Sequence, residues 1–588
     1  MPDMRHTWRA ALLVAAVCTA LAWATMPGPG FAGDHPDTLR IISWQAPTVF
    51  NPHLTSGHKD WEALRIVYEP LATADRDGNL IPVLAAGIPS RANGGVAADG
   101  RSVTWKLKEG VVWSDGRPFT AEDVRFTHAF ITDPDRDAPT RYAYEIVERI
   151  EVPGPHTVRL VFRRPNPAWG VLFVGCEGMI LPRHVPSEAS GDPKRRIAAV
   201  GTGPYRMTDV GIRDTILIGD DVVSMVAIRY EANPRFREPG KPFFRRIVYR
   251  GGGDAAMAAR DVLVDGDADF AWNLHMDAAG LREMAETGKG RVLMPAMSYV
   301  ERILLNFADP NRVAETGERA SVQHPHPFFS DIRVRKAFAH AVDRRAIAAL
   351  YGGAGRPATN ILVAPARYRS PNTTGLYSYD PDRAAALLDA AGWTDSDGDG
   401  VRDKNGVPMR ILFQTSVNRI RQATQAIIKR SLTAIGVDVE LKVIDASVFF
   451  SGDPANPNTF GHFYADMQEF SVGNRLPDPT AYMAHWLQGE IAQAANDWSG
   501  SNYARWSHPE YERLYARVAT EFDPKVRRDL FIRLNDLLIR EAAVIPLVNR
   551  ATAIGVAEDL AGVDPIPWDR STWNIQNWRR DRRPDEHP

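Results

Sequence analysis

Strand-type and helix-type patterns alternate along almost the whole chain, and this constrains the fold more than any single motif does. The run Leu39-Arg40-Ile41-Ile42-Ser43-Trp44 reads as a β-rich opening strand, and Ser102-Val103-Thr104-Trp105-Lys106-Leu107-Lys108 alternates with period two. A further strand is predicted at Thr157–Phe162. Helix starts are interleaved with these. Thr120-Ala121-Glu122-Asp123 spells a capping box, in which a hydroxyl caps free amides and an acid three residues later reaches back. Ser330-Asp331 precedes Val334, Phe338, Ala341 and Val342, which recur at helical spacing on one face. Asp380-Pro381 and Asp523-Pro524 each place a cap and then a proline in the first turn, where the missing N–H costs nothing; the first of these helices stops at Gly392. Such interspersion predicts an α/β protein rather than an all-α or all-β one.

The start of the chain reads as an address. Arg5, His6 and Arg9 precede an apolar stretch from Ala10 to Ala24, too short to span a bilayer comfortably, and a Pro/Gly break leads to Gly30-Phe31-Ala32. Residues 1–32 are therefore expected to be a signal peptide, cleaved after Ala32 or, at a second possible site, after Ala24. Cys18 sits in a poor match to a lipoprotein box, so no lipid anchor is expected. The mature chain keeps only Cys176. One cysteine cannot form an internal disulfide, so stability must come from packing. An exported, periplasmic protein with no membrane span after cleavage is expected.

With 588 residues the chain is long enough for several cores, and a formal net charge of -2 argues against nucleic acid as a partner. The sequence contains no His-Glu-x-x-His, no Gly-x-Ser-x-Gly and no phosphate-binding Gly-x-x-x-x-Gly-Lys-Ser/Thr. His324-Pro325-His326-Pro327 reads as an incidental polar loop rather than a metal site.

Five landmarks in order then resemble one family. They are Tyr68-Glu69-Pro70-Leu71 with Asp75 to Ala85; Gly110 to Val124, containing Trp113-Ser114-Asp115-Gly116; Gly201-Thr202-Gly203-Pro204-Tyr205 with Ala232-Asn233-Pro234; Ile332 to Arg344; and Tyr379 to Trp393. This series resembles the family 5 extracellular solute-binding proteins, the peptide- and nickel-type receptors of ABC importers. The resemblance implies a two-lobed periplasmic-binding-protein fold (type II, large form) with an extra inserted domain and a hinge of two crossings. Mapped here, lobe one is expected at 33–70, 200–300 and 545–588, the inserted domain at 71–199 and lobe two at 301–544. It further implies a monomer that captures a small-molecule or peptide ligand between its lobes, without catalysis or a required cofactor, and delivers it to a permease and ATPase complex. An exported sensory or chaperone-like binding protein of the same fold, or an exported hydrolase, are the other readings.

In peptide-binding relatives an Asp that pairs with the ligand's ammonium lies four residues before a proline. Here Ser471 to Pro479 places Arg475 there, beside Asn474, with Asp478 as an alternative partner. Arg419 falls where some dipeptide receptors hold a carboxylate, for which a guanidinium fork is suited. Trp272 and Asn273 fall where lobe one lines the cleft, and Tyr299 and Arg302 lie near the hinge. Loss of the aspartate in favour of arginine suggests an anionic or amino-blocked ligand. Separately, Asp395-Ser396-Asp397-Gly398-Asp399-Gly400-Val401-Arg402-Asp403 begins like an EF-hand loop. Asp395, Asp397, Asp399, the Val401 carbonyl and Asp403 are candidate ligands, but Gly406 replaces the bidentate Glu. The loop reads either as a weak calcium site or as a hydrogen-bonded acidic turn.

Overall fold

The computed structural model describes residues 36–581 except 137, 186–199, 219–220 and 275, so the expected signal peptide lies outside the described residues. Two mixed sheets organise the molecule. The first has seven strands in the order Gly290–Leu293, Ile554–Ala557, Phe270–Ala271, Thr38–Ser43, Arg246–Gly251, Asp221–Ala232 and Tyr205–Ile218. The opening strand is central, parallel to both neighbours. Its alternation serves two cores: Ile41 packs with Tyr249 and Phe270 on one face, Ile42 with Ala271 and Leu274 on the other.

The second sheet has six strands, in the order Gly355–Pro357, Val544–Ala551, Ala296–Leu305, Met467–Gly473, Arg410–Ser416 and Asp438–Ile444. It too is covered on both faces. Ile303, Met467 and Phe413 join one core, and Leu304, Phe470 and Val544 the other. A three-stranded sheet of Ser102–Lys106, Thr157–Phe162 and Val147–Gly154 has its own core around Trp105, Trp113 and Leu160.

The chain passes between the two large sheets twice, at 294–295 and at 552–553. Beside these crossings Ala296–Leu305 and Val544–Ala551 pair antiparallel, from Ala296 with Ala551 to Leu304 with Val544. Residues 296–300 and 545–551 therefore belong to the second sheet rather than to lobe one. Both strands stay in one hydrogen-bonded ladder from end to end.

The helix signals have local causes that the structure displays. Thr120 N donates to Asp123 Oδ2 at 2.8 Å, which closes the capping box of the helix Ala121–Thr132. Asp380 caps Pro381–Ala390 through Arg383 N at 2.8 Å, and Asp523 caps Pro524–Arg540 through Lys525 N at 2.8 Å. His326 is not an incidental loop residue. It is fully buried, its Nδ1 accepts the N–H groups of Phe328 and Phe329 at 3.1 Å, and its Nε2 donates to Asp466 at 2.9 Å.

The second sheet also buries charge. Glu301 and Glu469 lie on one face of adjacent strands, opposite Ser471 and Ile303 respectively. Arg421 grips Glu301 with two bonds of 3.2 Å, and Arg550 approaches it at 3.5 Å. Against the penalty of burial, these two guanidinium groups hold the Glu301 carboxyl below its usual range. Neither carboxylate oxygen of Glu469 has a hydrogen-bond partner among the described residues. Burial, and then the charge of Glu301, push its pKa well above the usual range. A raised carboxyl pKa means the folded state holds a proton that the unfolded state releases. That contribution is intact below the unfolded pKa and is lost as pH rises from there toward the folded value. Glu469→Gln is therefore expected to raise Tm at neutral pH and to flatten its decline with pH; thermal melts of both proteins between acid and neutral pH check this.

Candidate functional site

A cavity of about 250 Å³ lies between the lobes beside the two crossings. Lobe one contributes His58 and Glu62 from the helix His58–Leu64, and Trp272 and Asn273 just after Phe270–Ala271. Tyr299 and Arg550 come from the paired strands, and Asp569 and Arg570 from the C-terminal segment. A narrower recess adjoins it, sharing His58, Tyr299 and Arg570 and adding Cys176 and Glu177, and Arg475 and Leu476 just after the strand Met467–Gly473. Walls from both lobes meet here, as closure around a solute requires.

The aromatic wall is built around one imidazole. The His58 ring lies 6.0 to 6.3 Å from the rings of Trp61, Trp272 and Tyr299, and its Nε2 is 3.3 Å from the Tyr299 hydroxyl. Burial, and then the charges of Arg570, Arg475 and Arg550, push His58 well below the ordinary imidazole range. It is neutral at physiological pH.

Cations outnumber available anions here. Each carboxylate lining the site is already engaged. Glu62 accepts from Ser571 N at 2.9 Å and Thr572 N at 3.2 Å. Asp569 accepts from Arg65 at 3.2 Å and Thr73 at 2.9 Å, and Glu177 pairs with Arg475 at 3.7 Å. By contrast, the buried Nε of Arg570 has no hydrogen-bond partner among the described residues, while that of Arg550 faces Glu301 at 3.5 Å. Burial raises the pKa of Glu62, partly offset by Arg570 and the two amides.

The structure thus gathers Trp272, Asn273, Tyr299 and Arg475 of the sequence-predicted set around one space. Trp272 is both core and wall, 9% exposed and packed with Phe270. The others lie elsewhere. Asn474 is buried, with a 3.5 Å contact to Ala364 O. Asp478 is not free to meet a ligand ammonium, because Arg527 holds both its oxygens at 2.9 and 2.7 Å. Arg302 is no cleft residue: it is buried in lobe two over Trp486, with its nearest hydrogen bond to the Tyr482 hydroxyl at 3.3 Å. Arg419 is exposed at the first residue of the helix Arg419–Thr433, while Arg421 turns inward to Glu301. His58, Glu62, Glu177, Arg550 and Arg570 were missed; none of them lies in a motif that marks a site in the sequence.

In the acidic loop, one carboxylate oxygen from each of Asp395, Asp397 and Asp399 lies within 4.8 Å of the others, all exposed. Asp403 does not join them, since both its oxygens accept from Ser396 Oγ at 2.8 and 2.7 Å. Val401 contributes its N–H to Asp399 at 2.8 Å.

Two lobes joined by paired strands, with a solute-sized cavity between them, define a substrate-binding receptor. The family model for bacterial extracellular solute-binding proteins, family 5, matches residues 79–493, and the chain belongs to that family. It is a receptor component of an ABC transporter. A Brucella ovis protein, provisionally named an ABC transporter peptide-binding protein, is 25% identical over 488 residues, covering 81% of this chain and 80% of its own. The oligopeptide-binding protein AppA of Bacillus subtilis is 23% identical over 551 residues, covering 92% and 91%; its structure with a nonapeptide superposes with a TM-score of 0.67 over 93% of this chain and 99% of its own, at 20% identity. The structure of AgaA from A. tumefaciens R10 with agropinic acid gives a TM-score of 0.68 over 94% and 100%, at 19% identity. No helix among the described residues is long and apolar enough to cross a membrane.

Arg302 has no ion pair among the described residues, and burial lowers its pKa, so its charge is a cost that the aromatic faces only partly offset. Arg302→Met is expected to leave Tm unchanged or raise it, whereas loss of the Arg421–Glu301 pair through Arg421→Met is expected to cost about 3 kcal/mol. Denaturant titration of the two variants checks the contrast.

Proposed function

We propose that this receptor captures a compact anionic or amino-blocked solute, peptide-like or another carboxylate, and delivers it unchanged from the periplasm to a permease and ATPase complex, acting as a monomer. One observation carries the reading: the acids around the cavity are spent on internal bonds, while the buried Nε of Arg570 has no hydrogen-bond partner among the described residues. A ligand ammonium would meet no free carboxylate among the described lining residues, whereas a ligand carboxylate would meet the Arg570 guanidinium. A cavity of about 250 Å³ suits a ligand of di- or tripeptide size better than a long extended peptide. The AgaA complex, with an acid by name in a similar fold, agrees with this reading. Closure follows from differential affinity: a solute that touches both lobes only when they meet shifts the population to the closed state.

Calorimetric titration tests it with N-acetyl-aspartyl-glutamate and trialanine as probes. The blocked diacid is expected to bind about tenfold tighter or more, equivalent to about 1.4 kcal/mol, and to lose that margin in Arg570→Gln. Tight binding of trialanine, undiminished by Arg475→Ala, would overturn the proposal.

A weak calcium ion at Asp395, Asp397 and Asp399 is a secondary proposal, supported by their convergence. Millimolar calcium is then expected to raise Tm in the native protein and not in Asp397→Asn; an EDTA-insensitive, calcium-insensitive Tm removes the ion.

A further inference from the structure

Outside the cavity, the inserted domain and lobe two touch in ways that involve no ligand group. Phe522 lies in the loop between Pro509–Val518 and Pro524–Arg540, both packed in the core of lobe two. Its ring nevertheless packs against the core of the inserted domain. The reason is a socket. Gly100 has φ +68°, and a Cβ built there would stand 2.1 Å from the Phe522 ring, so the ring occupies the space that any side chain at 100 would fill. The Arg91 guanidinium closes the socket from above, 4.3 Å from the ring centroid. On the hairpin between Ala72–Ala74 and Leu80–Pro82, a second contact is made of backbone: Arg367 of lobe two donates to Asp77 O at 2.6 Å and Gly78 O at 3.2 Å. Gly78, at φ +78°, fits under Pro365 in the same way, with a built Cβ 2.7 Å from its ring.

We propose that these two contacts form a closing lock, in which Phe522 enters the Gly100 socket and Arg367 clasps the 77–78 turn only when lobe two lies against the inserted domain. Closure is then stabilised by apolar burial and hydrogen bonds remote from the ligand, and the inserted domain serves as the face against which lobe two shuts. The arrangement is specific because an aromatic ring with a cation on its face fits a site that must lack a Cβ. Apparent ligand affinity scales with the fraction of molecules in the competent state, so the lock sets affinity without touching the solute. This holds whatever the ligand is, so the test needs none.

Small-angle X-ray scattering of the purified, unliganded protein is the test. Without solute the native protein is expected to populate the closed form in part, leaving a population that the solute shifts further. Phe522→Lys, which removes the ring and sets its ammonium against Arg91, is expected to shift the radius of gyration and maximum dimension upward. Arg367→Ala, at an exposed side chain on the other contact, is expected to shift them in the same direction, and the double variant further. Far-UV circular dichroism verifies folding; if Phe522→Lys does not fold, Arg367→Ala alone decides the matter. Scattering of the folded variants identical to that of the native protein would overturn the lock.

Discussion

Everything in this molecule is arranged around the antiparallel pairing of Ala296–Leu305 with Val544–Ala551. Two segments some 250 residues apart in the chain must find each other before either sheet can be completed, because each leads directly into a strand of the other lobe. The ladder also resolves a conflict of function. It is stiff enough to hold Tyr299 and Arg550 at the wall of the cavity, yet only two short crossings join the lobes, so rotation about them deforms few bonds. Both connecting strands are backed by Glu301, whose paired arginines tie the second strand and the helix Arg419–Thr433 to the first.

The fold class was legible in the sequence because its signals are local. A capping box, an Asp-Pro helix start or an alternating strand needs only a few neighbouring residues to work, and Thr120, Asp380, Asp523 and the Ser102 strand behave as their patterns predict. The site was less legible because it is assembled from residues at 58, 177, 272, 299, 475, 550 and 570, each in an unremarkable stretch. Family position located Trp272 and Arg475, but it could not tell that Asp478 would be consumed by Arg527 or that Arg302 would turn into lobe two. Strand parity decides such matters: Glu301 and Arg302 are neighbours in sequence and point to opposite faces of one sheet.

The electrostatics of the cleft follow from what its charges are already doing. A count of acidic and basic side chains around the cavity would call it mixed. Hydrogen bonding separates the spent from the unspent: amides quench Glu62, a buried arginine holds Asp569, and Glu177 is half of a bridge across the cleft. The neutral His58 among its aromatic neighbours adds a polar edge without adding charge. Selectivity in such a site comes from which groups remain uncommitted after folding, and here that is the Arg570 guanidinium.

The two glycine sockets have a consequence for how sequence change would be felt. Gly78 and Gly100 sit in turns, the kind of position where substitutions are ordinarily tolerated. Here a methyl group at either would collide with a ring from the opposite lobe. Substitution there would leave both cores intact while propping the molecule ajar, so two surface turns remote from the solute are under the same constraint as the residues that touch it.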